Sequence, residues 1–185
     1  MRQVLKLHPD SPDSAATRVA VEVSRPRRDS LLLTYVVSGA IGELRLPPPA
    51  AATRTDELWR HTCFEAFVRD AAGAAYYEFN FAPSTRWAAY RFERYRSGMR
   101  VATEVGAPRI TVQSEPDRCT LAAALQVGGL SGQPGDPPRR LALAAVLEEV
   151  GGRKSYWALA HPPGKPDFHH ADCFVLELAQ AHPPD

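Results

Sequence analysis

The sequence predicts an all-β protein, a single antiparallel β-sandwich of immunoglobulin-like or jelly-roll type with about 10–12 strands, spanning 1–185 as one domain. Three observations predict it. Apolar residues recur with period two, as in Val19, Val21 and Val23. The connections are rich in turn formers, with 17 Pro and 12 Gly in 185 residues. No strand–helix–strand spacing appears, which excludes a parallel nucleotide-binding sheet.

The strands follow in order. Val4–Leu7 is short. Arg18–Val23 alternates cleanly. Leu31–Ser38 reads as a buried strand ended by Gly39. Ile41–Leu46 follows and must stop at Pro47-Pro48-Pro49, which supply no ladder N–H groups. Cys63–Arg69 and Tyr76–Ala82 flank the turn Asp70-Ala71-Ala72-Gly73 and read as a hairpin. Arg86–Tyr95, Arg109–Ser114, Cys119–Val127, Leu141–Val150, Ser155–Ala160 and Cys173–Leu178 complete the set. Leu121–Leu125 and Leu141–Glu149 contain good helix formers. Their strand neighbours and turn-rich flanks assign them to strands. The segment 128–138 reads as a flexible loop, and the tail from His182 as frayed.

Composition narrows the function. Hydrophobic residues make up 44% and charged residues 23%, a globular balance. Lys+Arg number 22 against 21 Asp+Glu, so the basic excess of a general nucleic-acid binder is missing. No apolar run reaches the roughly 18 residues of a membrane span. The N-terminus has no apolar export segment. Cys63, Cys119 and Cys173 are odd in number and scattered, which fits small buried hydrophobes in a reducing cytoplasm. No P-loop, dinucleotide-binding or nucleophile-elbow motif occurs.

Two regions carry more functional side chains than a plain sandwich needs. In the first, alternation puts Cys63, Glu65 and Phe67 on one strand face, and Tyr76, Glu78 and Asn80 on one face of the next. Pairing as a hairpin brings Glu65 towards Glu78. Charged groups on apolar strands need partners, so this face is either a polar site or simply solvated. A glycosidase pair is one reading of two such carboxyls. Trp59, Trp87 and Trp157 could wall a small-ligand pocket with Glu, Asn and Arg86 beside them, or be core packing. The second region follows Pro162-Pro163-Gly164 and holds Lys165, Asp167, His169 and His170, with His161 before it. His61, His161 and His169 would form a metal cluster only if their loops converged, and no ligand spacing supports it, so no metal is expected. Arginines alternate with aromatics from Arg86 to Arg100. The run reads either as a single-stranded nucleic-acid surface or as a strand with one aromatic face, and the near-neutral charge favours the second.

The runs ELWRHTCFEAFV and YYEFNFAPSTRWAAYRF, with SYWALAHPPGKPDFHH late in the chain, resemble the DOMON-like proteins, relatives of carbohydrate-binding module family 9. The resemblance spans Leu44–Leu178. It implies a β-sandwich that binds a sugar or a haem without catalysis. For a sugar, Trp59, Trp87 or Trp157 would be the stacking rings. Glu65, Glu78, Asn80 and Arg86 would be the polar partners, with His61, His161, Lys165, Asp167 and His169 as further contacts. For haem b, the axial pair would be Met99 with His169, His161 or His170. A cytoplasmic relative with neither membrane nor nucleic-acid partner is the expectation.

Overall fold

A computed structural model describes residues 1–178 apart from positions 12, 72, 129 and 131–138. Twelve strands form: β1 (Arg2–Leu7), β2 (Ala16–Ser24), β3 (Ser30–Gly39), β4 (Cys63–Asp70), β5 (Tyr76–Phe81), β6 (Trp87–Phe92), β7 (Arg100–Val101), β8 (Arg109–Ser114), β9 (Arg118–Gln126), β10 (Arg139–Glu148), β11 (Lys154–Ala158) and β12 (Leu176–Leu178). Strands hold 51% of the residues, and no α-helix forms among those described. The predicted loop at 128–138 and the tail from His182 fall largely or wholly outside the described residues.

All strands pair antiparallel in one continuous sheet, ordered β7-β6-β5-β4-β10-β11-β1-β2-β3-β9-β8, with β12 beside β10. The sheet curls as a half-barrel. The all-β antiparallel expectation holds, and the sandwich is not confirmed, because β1 joins the two halves of the sheet. Residues Arg2–Leu5 of β1 pair with β2, and Lys6 and Leu7 then pair with β11. One strand thus hands hydrogen bonds from one half of the sheet to the other, which a sandwich of independent sheets lacks.

The inner faces meet in one core. Val19, Val21, Leu33, Tyr35, Leu121 and Leu125 come from one half, and Phe64, Phe79, Phe81, Leu143 and Leu147 from the other. Tyr35 crosses it, with its ring 5.0 Å from Phe64 and its hydroxyl donating to the Glu65 carbonyl at 2.8 Å. The Ala/Leu-rich segments are strands because alternate residues enter this core. In β9, Cys119, Leu121, Ala123 and Leu125 are buried while their neighbours stay more open.

The strands β4, β5, β6 and β10 are buried on both faces. The outer face is covered by the chain around 168–174. There Phe168, Cys173 and Phe174 pack on Phe67, Tyr76, Phe92, Ala142, Ala144 and Val146. Two of its contacts run through a thiol: Cys173 donates to the Ala160 and Asp167 carbonyls at 3.3 and 3.2 Å. All three cysteines are free and buried, and burial pushes the Cys173 thiol up to about 12.

Some boundaries differ from expectation. Ile41–Leu46 is not a strand. Ile41–Glu43 is a 3-10 turn, and only Leu44 bridges, to Glu149. The buried residues there are Ile41 and Leu44, spaced by three, the period of a 3-10 turn and not of a strand. The strand expected over Arg86–Tyr95 ends at Phe92, because a turn follows with Arg96 at φ 48 and Gly98 at φ 67. Cys173–Leu178 opens instead with a 3-10 turn at Ala171–Cys173, which the His170 side chain caps by accepting from Asp172 N–H. Gly39 does end β3, at φ 140. A side chain there would collide with the Ala15 carbonyl, 2.2 Å from the Cβ position.

Candidate functional site

The floor of the site is the outer face of the β4–β5 hairpin. Glu65 pairs with Asn80, and Phe67 with Glu78. Glu65 and Glu78 are therefore diagonal neighbours on one face, at a Cβ separation of about 7 Å. They are nearly inaccessible, at 3% and 5% exposure. Above them opens a cavity of about 520 Å³, lined also by Trp59, Arg60, Phe92, Arg96, Met99, Val146, Lys154, Tyr156, Pro166, Phe168 and His169.

The carboxyls differ in their partners. Glu78 Oε1 accepts from Asn80 Nδ2 at 2.7 Å, and Cys63 Sγ donates to Asn80 Oδ1 at 3.5 Å. Glu78 Oε2 lies 3.7 Å from His169 Nε2. Glu65 Oε1 is buried without a hydrogen-bond partner. Burial, then the charge of Glu78, pushes the Glu65 carboxyl well above the usual carboxylate range, against the pull of Arg96. Burial raises Glu78 to about 7, opposed by the Asn80 hydrogen bond and Arg96. Near neutral pH Glu65 therefore keeps its proton and Glu78 is about half ionised.

His169 is held by a relay. Arg96 N–H donates to the Tyr76 hydroxyl at 3.2 Å, and that hydroxyl is 2.8 Å from His169 Nδ1. The hydroxyl keeps a second lone pair and its own proton for Nδ1, while Nε2 faces Glu78. The rings of Phe67 and Phe92 lie 5.1 Å from His169 and that of Tyr76 5.8 Å. Burial, and then Arg96, lowers His169 to about 4, so it is neutral at pH 7. Arg96 is fixed in turn by Asp167, at 2.8 Å. Tyr95 donates to the other Asp167 oxygen.

The chain is similar in fold to carbohydrate-binding modules. A candidate carbohydrate-binding protein from Bacteroides uniformis aligns at TM-score 0.70 and 18% identity, over 94% of this chain and 84% of the other. A family 9 carbohydrate-binding module from Caldicellulosiruptor kristjanssonii, in complex with cellotriose, aligns at TM-score 0.52 and 11% identity, over 89% and 74%. No family model and no curated protein matches the chain. These likenesses bear on the fold, and the DOMON-like part of the sequence resemblance has no counterpart among them.

Of the residues singled out from sequence, Trp59, Glu65, Glu78, Met99 and His169 line one cavity, with Asn80 beneath it. Trp87 and Trp157 are core residues, each 5% exposed. Trp87 faces inwards because its strand alternates, and Arg54 covers it at 4.2 Å. Trp157 is anchored by its indole N–H donating to Ser155 Oγ at 3.0 Å. Lys165, Asp167 and His170 line a neighbouring recess of about 420 Å³, which Arg96 shares. His61 and Arg86 line a separate cavity of about 630 Å³, where His61 Nδ1 meets the buried Glu148 carboxylate at 2.7 Å. His161 Nε2 bonds the Lys6 carbonyl at 2.8 Å, with its ring edge-on to His8. The three histidines do not converge, and no group of three metal-ligating side chains occurs among the described residues.

Sequence reasoning missed Arg60, Arg96, Lys154, Tyr156 and Phe168 at the cavity. For Arg96 the available signal was Arg-Ser-Gly, a turn signature that ends the strand and turns the side chain back. Arg100 pairs with Glu104 at 2.7 Å, and Trp87, Tyr90 and Phe92 are buried, so no row of stacking rings faces outwards.

Proposed function

We propose that this protein is a non-catalytic module that binds a sugar in the cavity over Glu65 and Glu78. One observation carries the reading. Glu65, whose Oε1 is buried without a hydrogen-bond partner, lines a cavity with aromatic walls at Trp59, Phe92, Tyr156 and Phe168. Apolar walls with a few fixed polar groups describe a small-ligand site. A protonated carboxyl donates through its O–H and accepts through its carbonyl oxygen, which suits a polyol. Trp59 is half-buried and rests edge-on against Tyr90 at 5.8 Å. Its remaining ring surface suits the C–H face of a pyranose. The fold neighbours, one named as a candidate carbohydrate-binding protein and one in complex with cellotriose, agree with this reading.

Hydrolysis fits less well. A glycosidase places its two carboxyls on either side of the scissile bond. Here both rise from adjacent strands of one floor. Haem also fits less well. Met99 and His169 line the same cavity, but both His169 nitrogens face partners, Tyr76 and Glu78. An iron ligand would have to displace one of them. An absorption spectrum after haem addition tests this, with a Soret band that Met99→Ala removes as the result that would favour haem.

The sugar reading is tested by titrating hexoses and short oligosaccharides into Trp59→Ala and the unsubstituted chain. Loss of the ring is expected to weaken binding at least about tenfold, roughly 1.4 kcal/mol. The melting temperature should shift little, because the ring is only half-buried. Unchanged affinity in Trp59→Ala would remove the site from this cavity.

A further inference from the structure

We infer that the ligand is an acidic sugar, a hexuronate whose carboxylate pairs with Lys154 while a hydroxyl meets the Glu65 carboxyl at the cavity floor. This rests on the sugar-binding reading above and names its ligand class.

The argument is one of charge. Three cationic side chains line the cavity: Arg60, Arg96 and Lys154. Arg60 is engaged by Glu57 at 2.8 Å, and Arg96 by Asp167 at 2.8 Å. Neither Glu57 nor Asp167 lines the cavity, so their charges are spent on its outer side. Lys154 is half-buried and makes no hydrogen bond or ion pair among the described residues. It sits opposite Glu148 in the β10–β11 register, yet Glu148 is taken by His61 at 2.7 Å and approached by Arg45 at 3.7 Å.

Among the described residues the only lining carboxyls are Glu65 and Glu78, and burial drives both towards the protonated form. The lining is therefore net positive, with one cation unpartnered. A neutral hexose would satisfy Glu65 and leave Lys154 without a counter-charge. An amino sugar would add a fourth cation. A monocarboxylate carries the single negative charge that Lys154 lacks, and its hydroxyls still meet the Glu65 carboxyl and the aromatic walls. Glu65 and Lys154 belong to different strands, β4 and β11, on either side of β10. A ligand touching both must span the floor, as a ring with a substituent at each end does.

The experiment is calorimetric titration of glucuronate, galacturonate and mannuronate, each against its parent hexose, with glucosamine and glucose 6-phosphate as further probes. Low ionic strength keeps the ion pair unscreened. At least one uronate is expected to bind about tenfold or more tighter than its hexose, and glucosamine no better than glucose. Lys154→Met is expected to erase the uronate advantage, and Lys154→Arg to keep it. Equal affinity for every uronate and its hexose overturns this inference and leaves the sugar reading standing. An advantage that survives in Lys154→Met overturns the assignment to Lys154, and tighter binding of the phosphate than of any uronate overturns the monocarboxylate. No binding by any probe overturns both readings.

Discussion

Replacing Trp87 by alanine is expected to lower the melting temperature by about 6–20 °C. Trp87 leads β6, 5% exposed, with its ring inside the main core. Truncating a buried tryptophan costs about 3–5 kcal/mol, because transfer energy and the remaining void add together. For a chain of this size each kcal/mol moves the melting point by about 2–4 °C. The void would be awkward to close. Arg54 lies over the ring at 4.2 Å and is pinned by donating to the Ala89, Ala102 and Val105 carbonyls at 3.0–3.2 Å. A guanidinium so held cannot sink into the gap without breaking those bonds. Trp59→Ala, made in parallel, should shift melting far less and ligand affinity far more. Calorimetric melting of both variants separates the core tryptophan from the cavity one. A shift under about 3 °C for Trp87→Ala would sink the assignment.

The contrast between these tryptophans shows what the sequence could and could not tell. Alternation is a local property, and it correctly put Cys63, Glu65 and Phe67 with Tyr76, Glu78 and Asn80 on shared faces, since the hairpin register joins Glu65 to Asn80 and Phe67 to Glu78. It could not say what covers that face. The aromatic cover comes from Phe168 and Phe174, far along the chain from β4, and no periodicity links them to it. For the same reason Trp59, Trp87 and Trp157 looked equivalent. Burial depends on which face of which strand meets the core, and two of the three turned inwards.

The failures at element boundaries have a different cause. Ile41 and Leu44 carry the apolar residues of a 3-10 turn, and a short apolar run looks the same at period two or three until its partners are known. The strand β7 has only two residues, too few for any pattern. The partner exchange along β1 is a matter of tertiary pairing alone. Its six residues alternate as one strand, and nothing in them marks the step from β2 to β11 between Leu5 and Lys6.

Glu65→Gln is expected to raise the melting temperature by at least about 3 °C at pH 8 and to leave it unchanged at pH 4. The sign follows from proton binding. In the unfolded chain a glutamate titrates near 4.5, whereas the fold raises Glu78 to about 7 and Glu65 well above the usual range, by burial first and then by the charge of Glu78. Above 4.5 the native state therefore holds more protons than the unfolded state, and stability falls as pH rises. The contribution of the protonated pair is fully present below about 4.5 and drains away as pH climbs through 7 and beyond. Glutamine cannot ionise, so the variant escapes the Glu65 share of that loss. His169 works in the opposite direction. Lowered to about 4, it makes the native state hold fewer protons between 4 and 6.5, so its contribution is lost as pH falls. Because His169 is present in both chains, the difference between them isolates Glu65. The matching change at Glu78 is less clean: Oε1 accepts from the Asn80 amide, and a glutamine amide nitrogen placed there would set one donor against another, at about 1–3 kcal/mol. Melting curves of the two chains from pH 4 to pH 8 test the argument. Parallel curves, or a gain at pH 4 equal to that at pH 8, would mean that the Glu65 carboxyl is not held protonated by its burial.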